Sequence, residues 1–130
     1  MSLQFDFIGI VTRDLAASLA FYRLLGLDIP EHPADAPHVE HVLPSGMKLA
    51  WDPVATIQSF DPDFDPGATG SGIGFAFQAG SAEEVDAAHA AIVAAGHESK
   101  AKPWDAPWGQ RYASVLDPDG NGIDIYAPLS

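Results

Sequence analysis

The sequence predicts an α+β fold built from two βαβββ modules, and three observations carry that prediction. Each half of the chain opens with an apolar run followed by a capped, helix-spaced stretch. The two openings are alike, Ile8-Gly9-Ile10-Val11 against Ile73-Gly74-Phe75-Ala76, which is a faint internal repeat. The chain then closes on a hairpin with strong turn chemistry, Asp117-Pro118-Asp119-Gly120-Asn121-Gly122, set between two alternating runs.

Leu3 to Val11 is dense in Phe, Ile and Val and is expected to be a buried strand. Asp14 is a good helix N-cap, and Leu15, Leu19, Tyr22 and Leu25 recur at helical spacing until Gly26 ends the run. A short strand is expected at Leu27 to Ile29, then a loop from Pro30 to Pro37. A hairpin of His38 to Leu43 and Met47 to Trp51 turns on Pro44-Ser45-Gly46 and completes a first module over residues 1–52. Residues 53–72, rich in Pro, Asp and Gly, read as a connector. The second module, 73–130, begins with a strand from Ile73 to Gln78. Ser81 and Glu84 form a capping box for a helix carrying Val85, Ala88 and Ile92, and Gly96 stops it. A weak strand around His97 to Lys102, a loop from Pro103 to Pro107 and the terminal hairpin follow. In the hairpin Pro118 presets the turn, while Gly120 and Gly122 are expected to supply left-handed backbone. Tyr112, Ser114 and Leu116 fall on one face and Ala113 and Val115 on the other, so the register decides which face Asp124 occupies.

At 130 residues the chain suits a single domain with a real core. Eighteen acidic residues against six basic ones give a formal charge of -12, which argues against nucleic acid or an anionic membrane surface as partner and favours cationic or neutral ligands. Without cysteine there is no disulfide framework, thiolate nucleophile or cysteine-held metal. No apolar run approaches a membrane span, and no basic region precedes an apolar stretch at the amino terminus; a cytoplasmic protein is expected.

Several motifs fail on inspection. Asp61, Asp63 and Asp65 resemble the start of a calcium loop, but Pro66 stands where the loop needs Gly and Gly72 where it needs Glu. Gly67, Gly70, Gly72 and Gly74 precede a strand and open no helix, unlike a dinucleotide loop. Ser71, between two glycines ahead of a strand, is in the wrong context for a nucleophile elbow. His32, His38, His41 and Glu40 lie close in sequence, but His38 and Glu40 share one strand face and His41 takes the other. His89 reads as a half-buried packing histidine on the second helix.

The segments FDFIGIVTRDLAASLAFYRLLGL, GIGFAFQAGSAEEVDAAHAAIVAAG and WGQRYASVLDPDGNGIDIY, in that order, resemble the vicinal oxygen chelate superfamily of glyoxalases, bleomycin resistance proteins and extradiol dioxygenases. The resemblance implies paired βαβββ modules forming a half-barrel cleft, usually in a homodimer. It also implies metal ligands on the first and last strands of each module in the metal-using members. Carried onto this chain, those positions fall on Phe7, on Gly74, on Lys48 or Ala50 depending on register, and on Asp124, of which only Asp124 is a carboxylate. A divalent ion wants at least three converging protein ligands, so the expectation is no metal cofactor. In character the chain is closest to the metal-free, drug-binding members, which act in antibiotic resistance by sequestration.

The reading that follows is a homodimer binding a planar or cationic small molecule in an aromatic cleft lined by Phe7, Trp51, Phe75, Trp108, Arg111 and Tyr112, with Asp124 as polar anchor. The alternative is an enzyme, a lyase, isomerase or dioxygenase. It would use a rearranged divalent-metal set of His38, Glu40, Asp52 and Asp124, or metal-free acid-base catalysis by Asp124 with its pKa raised by burial beside Phe7. Against that catalytic role stands a carboxylate simply hydrogen-bonded to Tyr112 or Arg111.

Overall fold

The computed structural model describes residues 7–67 and 75–129. The strand starts expected at Leu3 and Ile73, and the Gly74, Gly70, Gly72 and Ser71 positions, lie outside the described residues. The first sheet holds β1 (Phe7–Thr12), β2 (Val39–Val42) and β3 (Lys48–Pro53) in the order β1-β3-β2, with β1 parallel to β3 and β2 antiparallel to it. Helix α1 (Leu15–Leu24) connects β1 to β2, and α2 (Val54–Phe60) follows β3. The second sheet holds β4 (Phe75–Gln78), β5 (Ser99–Ala106), β6 (Gln110–Leu116) and β7 (Gly122–Pro128) in the order β4-β7-β6-β5, with α3 (Ala82–Ala94) between β4 and β5. In each module the first strand runs parallel to the last and the remaining pairs are antiparallel; the second module is a full βαβββ unit, and the first is its βαββ counterpart among the described residues, short of the strand expected at Leu27 to Ile29.

Local chemistry sets the helix ends. The Asp14 carboxylate accepts from Ala17 N at 3.0 Å, and Gly26 turns the chain away with φ 95°. Ser81 Oγ accepts from Glu84 N at 3.2 Å, while the Glu84 carboxylate reaches back to Gly80 N at 2.7 Å, one residue earlier than an ideal capping box. α1 lays Leu15, Leu19 and Tyr22 onto the first sheet, where the Tyr22 ring meets Trp51 edge-on at 5.5 Å; α3 lays Val85 and Ile92 over β6 and β7. These residues, with Ile10, Leu49, Val115, Ile123 and Ile125, form one core that runs through both modules. A buried polar bond also joins the modules: Tyr22 donates its hydroxyl to Asp117 at 2.9 Å. Asp117 accepts as well from Asp119 N and Asn121 N, so the hairpin turn is knotted onto α1 by one carboxylate.

Four expectations change. Leu27 to Ile29 is not a strand: Arg23 donates to the carbonyls of Ile29 and Pro30, both at 2.8 Å, so acceptors that would need a neighbouring strand already have a donor. The connector is not without structure, because α2 begins directly after Pro53 and packs on β1 and β3. β5 runs on through the expected Pro103 to Pro107 loop as far as Ala106; two register shifts admit Pro103, whose missing N–H is tolerated on this edge strand. Of the two turn glycines, Gly120 takes positive φ at 85° and Gly122 does not. Among the described residues no helix is long and apolar enough to cross a membrane.

Candidate functional site

The hairpin β6–β7 decides the site. Tyr112 pairs with Tyr126 and Ser114 with Asp124, so positions 110, 112, 114 and 116 share one sheet face with 122, 124 and 126. Ala113, Val115, Ile123, Ile125 and Ala127 are buried on the opposite face, towards α3. The helix-free face therefore collects the polar and aromatic groups.

At its centre both oxygens of the Asp124 carboxylate accept hydroxyl hydrogens, Oδ2 from Tyr112 at 2.7 Å and Oδ1 from Ser114 at 2.6 Å. The bond to Asp124, with burial and the carboxylate charge behind it, pushes the Tyr112 phenol up to about 12, so it stays protonated and donates. The aromatic rings continue from there. Tyr112 stacks on Tyr126 at 6.3 Å, Trp108 stands edge-on to Tyr112 at 5.4 Å, and Trp104 stands edge-on to Trp108 at 5.5 Å. Trp108 is oriented by its Nε1–H, which donates to Gln110 Oε1 at 2.9 Å, yet it remains 58% exposed and Trp104 43% exposed. Two half-bare indoles beside a carboxylate form a surface able to hold a flat ring by stacking and edge contacts.

The expected lining residues divide. Trp108, Tyr112 and Asp124 share this strip. Phe7 belongs to the first sheet, on its face away from α1, where its ring covers Gly9 so closely that a Cβ there would come within 3.3 Å. Three assignments are corrected. Trp51 has no exposed surface and packs on Tyr22 in the core. Phe75 pairs with Ile123 and turns into the core with it, while its neighbour Ala76 shares the face of Asp124. Arg111 is one residue out of phase with Tyr112 and binds Asp86 of α3 at 2.8 Å and Asp105 at 3.0 Å, so Asp124 takes its hydrogen bond from Tyr112 and none from Arg111. Ser114 and Gln110 have no expected site role, although the two-residue period from Tyr112 points to them; Tyr126, expected among the strand aromatics of the cleft or the core behind it, is placed in the strip by the same period, and the face of Trp104 is hidden from counting by the shifts in β5.

The metal positions implied by the fold can now be resolved. Counted back from the helix caps Asp14 and Ser81, Phe7 matches Gly74 and Gly9 matches Ala76, a frame two residues off the apparent repeat of the openings; Ala76 pairs with Asp124 and Gly9 with Ala50, so the counterpart of Asp124 is Ala50, not Lys48. Phe7 and Ala50 offer no donor atom, and Asp124 is committed to two hydroxyls. The alternative set comes together in part. His38 sits between Asp52, 2.5 Å from Nδ1, and Glu40, 3.0 Å from Nε2, and the bond to Asp52 followed by that to Glu40 raises its pKa. Both ring nitrogens thus face carboxylates, an arrangement that favours imidazolium and leaves no lone pair for a metal. Asp124 makes its bonds on the other sheet. Among the described residues no group of three or more His, Asp or Glu side chains is arranged to hold an ion, and the residues present do not fit the family's metal.

A profile described as the Glyoxalase/Bleomycin resistance protein/Dioxygenase superfamily matches residues 4–125. No curated protein is significantly similar in sequence. Among solved structures, a glyoxalase/bleomycin resistance protein/dioxygenase family enzyme from Burkholderia phytofirmans superposes with a TM-score of 0.80 at 21% identity, covering 95% of this chain and 98% of its own. A glyoxalase-related enzyme from Fulvimarina pelagi gives 0.78 at 26% identity, covering 95% and 87%. A hypothetical protein from S. aureus gives 0.79 at 20% identity, covering 98% and 94%.

Proposed function

The chain belongs to the glyoxalase/bleomycin resistance/dioxygenase superfamily, and within it we propose a binding member that sequesters a small flat-ringed molecule without a bound metal. One observation carries the reading: Trp104, Trp108, Tyr112 and Tyr126 form a continuous run of ring contacts that ends on Asp124, with both indoles open to solvent. Each well-placed ring contact contributes about 0.5–1.5 kcal/mol beyond the area it covers. Asp124 supports binding more readily than proton transfer, since both of its oxygens already accept from the protein. We extend the proposal to a homodimer, tested by light scattering on the eluted peak of a sizing column.

The site test is tryptophan quenching by a flat aromatic probe. Trp108→Ala is expected to weaken binding about tenfold, whereas Phe60→Ala, at an exposed ring on α2 outside the strip, leaves it unchanged. Equal binding by wild type and Trp108→Ala would remove this strip as the site.

A further inference from the structure

The helix-free face of the second sheet carries a cation at the end opposite its indoles. Lys100 leaves the edge strand β5, and its Nζ reaches to 3.8 Å from the place a Cβ on Gly122 would occupy. Gly122 shares its face with Asp124 and Tyr126, and it pairs with Leu116, so the lysine stem crosses β6 and the ammonium lies over β7. Gly122 takes an ordinary backbone conformation and leaves clear the surface over which the ammonium rests.

Four of the five other cations are engaged. Arg13 and Arg23 donate to backbone carbonyls, Arg111 binds two aspartates and Lys48 acts on Glu40. Lys102 makes no hydrogen bond or ion pair among the described residues, but its charge acts on His89, whose ring bonds Ser99 on the α3 side of the sheet. Among the described residues Lys100 makes no hydrogen bond or ion pair, in a chain with three times as many acidic as basic side chains. An exposed ammonium left unpaired in so acidic a protein is a donor available to a ligand.

Along the strip the order is then ammonium over Gly122, carboxylate at Asp124, paired tyrosines, and indoles. Successive same-face positions on a strand are about 7 Å apart. Tyr112, paired with Tyr126, is two such steps or about 14 Å along the strip from Gly122, so a bicyclic ring resting on it needs a chain of about four atoms to bring an anionic group within reach of Lys100. Asp124 lies under that chain with its oxygens turned to Tyr112 and Ser114.

We propose that Lys100 is the anion-holding residue of this site and that its ligand class is an aryl-alkanoate, a flat ring on a short chain ending in a carboxylate. The proposal rests on the aromatic-strip reading and narrows it, choosing an anionic over a cationic ligand on local geometry despite the overall charge.

The probes are 4-(2-naphthyl)butanoate and the matched 4-(2-naphthyl)butylammonium, titrated calorimetrically into wild type, Lys100→Met, Lys100→Arg and Trp108→Ala. Wild type is expected to bind the carboxylate about tenfold more tightly than the amine. Lys100→Met is expected to lose that advantage without weakening the amine, Lys100→Arg to restore most of it, and Trp108→Ala to weaken both probes alike. Undiminished carboxylate binding by Lys100→Met would overturn the role of Lys100. A preference of wild type for the amine, still dependent on Trp108, would overturn the ligand class while leaving the aromatic strip standing. Binding of neither probe would overturn both.

Discussion

Replacing Tyr22 by Phe tests whether the two modules are joined by the polar bond that crosses the core. Tyr22 and Asp117 are 0% and 4% exposed, and the hydroxyl donates to the carboxylate at 2.9 Å. A hydrogen bond to a charged acceptor contributes about 1.5–3 kcal/mol. Asp117 keeps three other donors after the change, Asp119 N at 2.9 Å and Asn121 N and Nδ2 at 2.8 Å, so the lower part of that range, about 1.5–2 kcal/mol, is expected. For a domain of this size the midpoint falls by about 3–5 °C per kcal/mol. The pH dependence supplies a second readout. Burial, then the charge and hydrogen bond of Asp117, raise the folded pKa of Tyr22 far above its unfolded value of 10.0. The folded state therefore holds a proton that the unfolded state releases above that value, and the contribution present at neutral pH declines as pH rises beyond 10. Urea unfolding at pH 7 to 11 should show the gap between wild type and Tyr22→Phe narrowing above pH 10, at a limiting rate of about 1.4 kcal/mol per pH unit. A gap below about 0.5 kcal/mol at pH 7, or one constant with pH, would refute this account of the link.

Three other outcomes follow from the geometry. Protein purified without chelator and titrated with Zn(II), Ni(II), Mn(II) or Fe(II) should show no thermal stabilisation, and a tightly held stoichiometric ion would refute the assignment of Phe7 and Ala50 as lost ligand positions. His38, raised by Asp52 and Glu40, should titrate above 6.5 by NMR and fall back in Asp52→Asn. Its contribution to stability is complete below 6.5 and is lost as pH rises through the folded value, so a His38 resonance unmoved by Asp52→Asn would end that assignment. Gly120→Ala, at φ 85°, should cost about 1 kcal/mol in urea unfolding, whereas Gly122→Ala, at ordinary φ and with only the Lys100 ammonium at 3.8 Å, should be near neutral; equal costs would contradict the turn geometry.

The elements whose signals are local were legible. Asp14 and Ser81 cap the helices they were expected to cap, Gly26 and Gly96 follow their ends, and the alternation from Tyr112 to Leu116 is the alternation of β6. The misses come from partners that are distant or from signals that are short. Whether Leu27 to Ile29 becomes a strand depends on what satisfies its carbonyls, and a side chain in the preceding helix does so. α2 has seven residues, no side-chain cap and no fully buried residue, leaving only Val54, Ile57 and Phe60 at weak helical spacing to announce it. Within the strip, turn chemistry fixes the register that puts Tyr112 and Asp124 on one face; the place of Trp104 opposite Tyr112 is hidden because two irregularities in β5 break the count.

The same parity explains why this site is one-sided. Arg111 and Tyr112 are neighbours in sequence, yet one is bound to the helix layer and the other faces away from it. A single-residue slip of β6 would exchange them, burying Tyr112 under α3 and bringing a guanidinium to Asp124. The buried Ala113 and Val115 hold the register against that slip. Across the modules, matching positions have diverged: Ala50 presents a methyl where Asp124 presents a carboxylate. A divalent ion held between such positions needs donors on both sheets, and the first sheet supplies none there. Asp124 instead accepts from Tyr112 and Ser114 together, fixing the phenol ring in the plane on which Tyr126 stacks and against which Trp108 stands. The carboxylate at the metal position thus becomes the support of an aromatic surface.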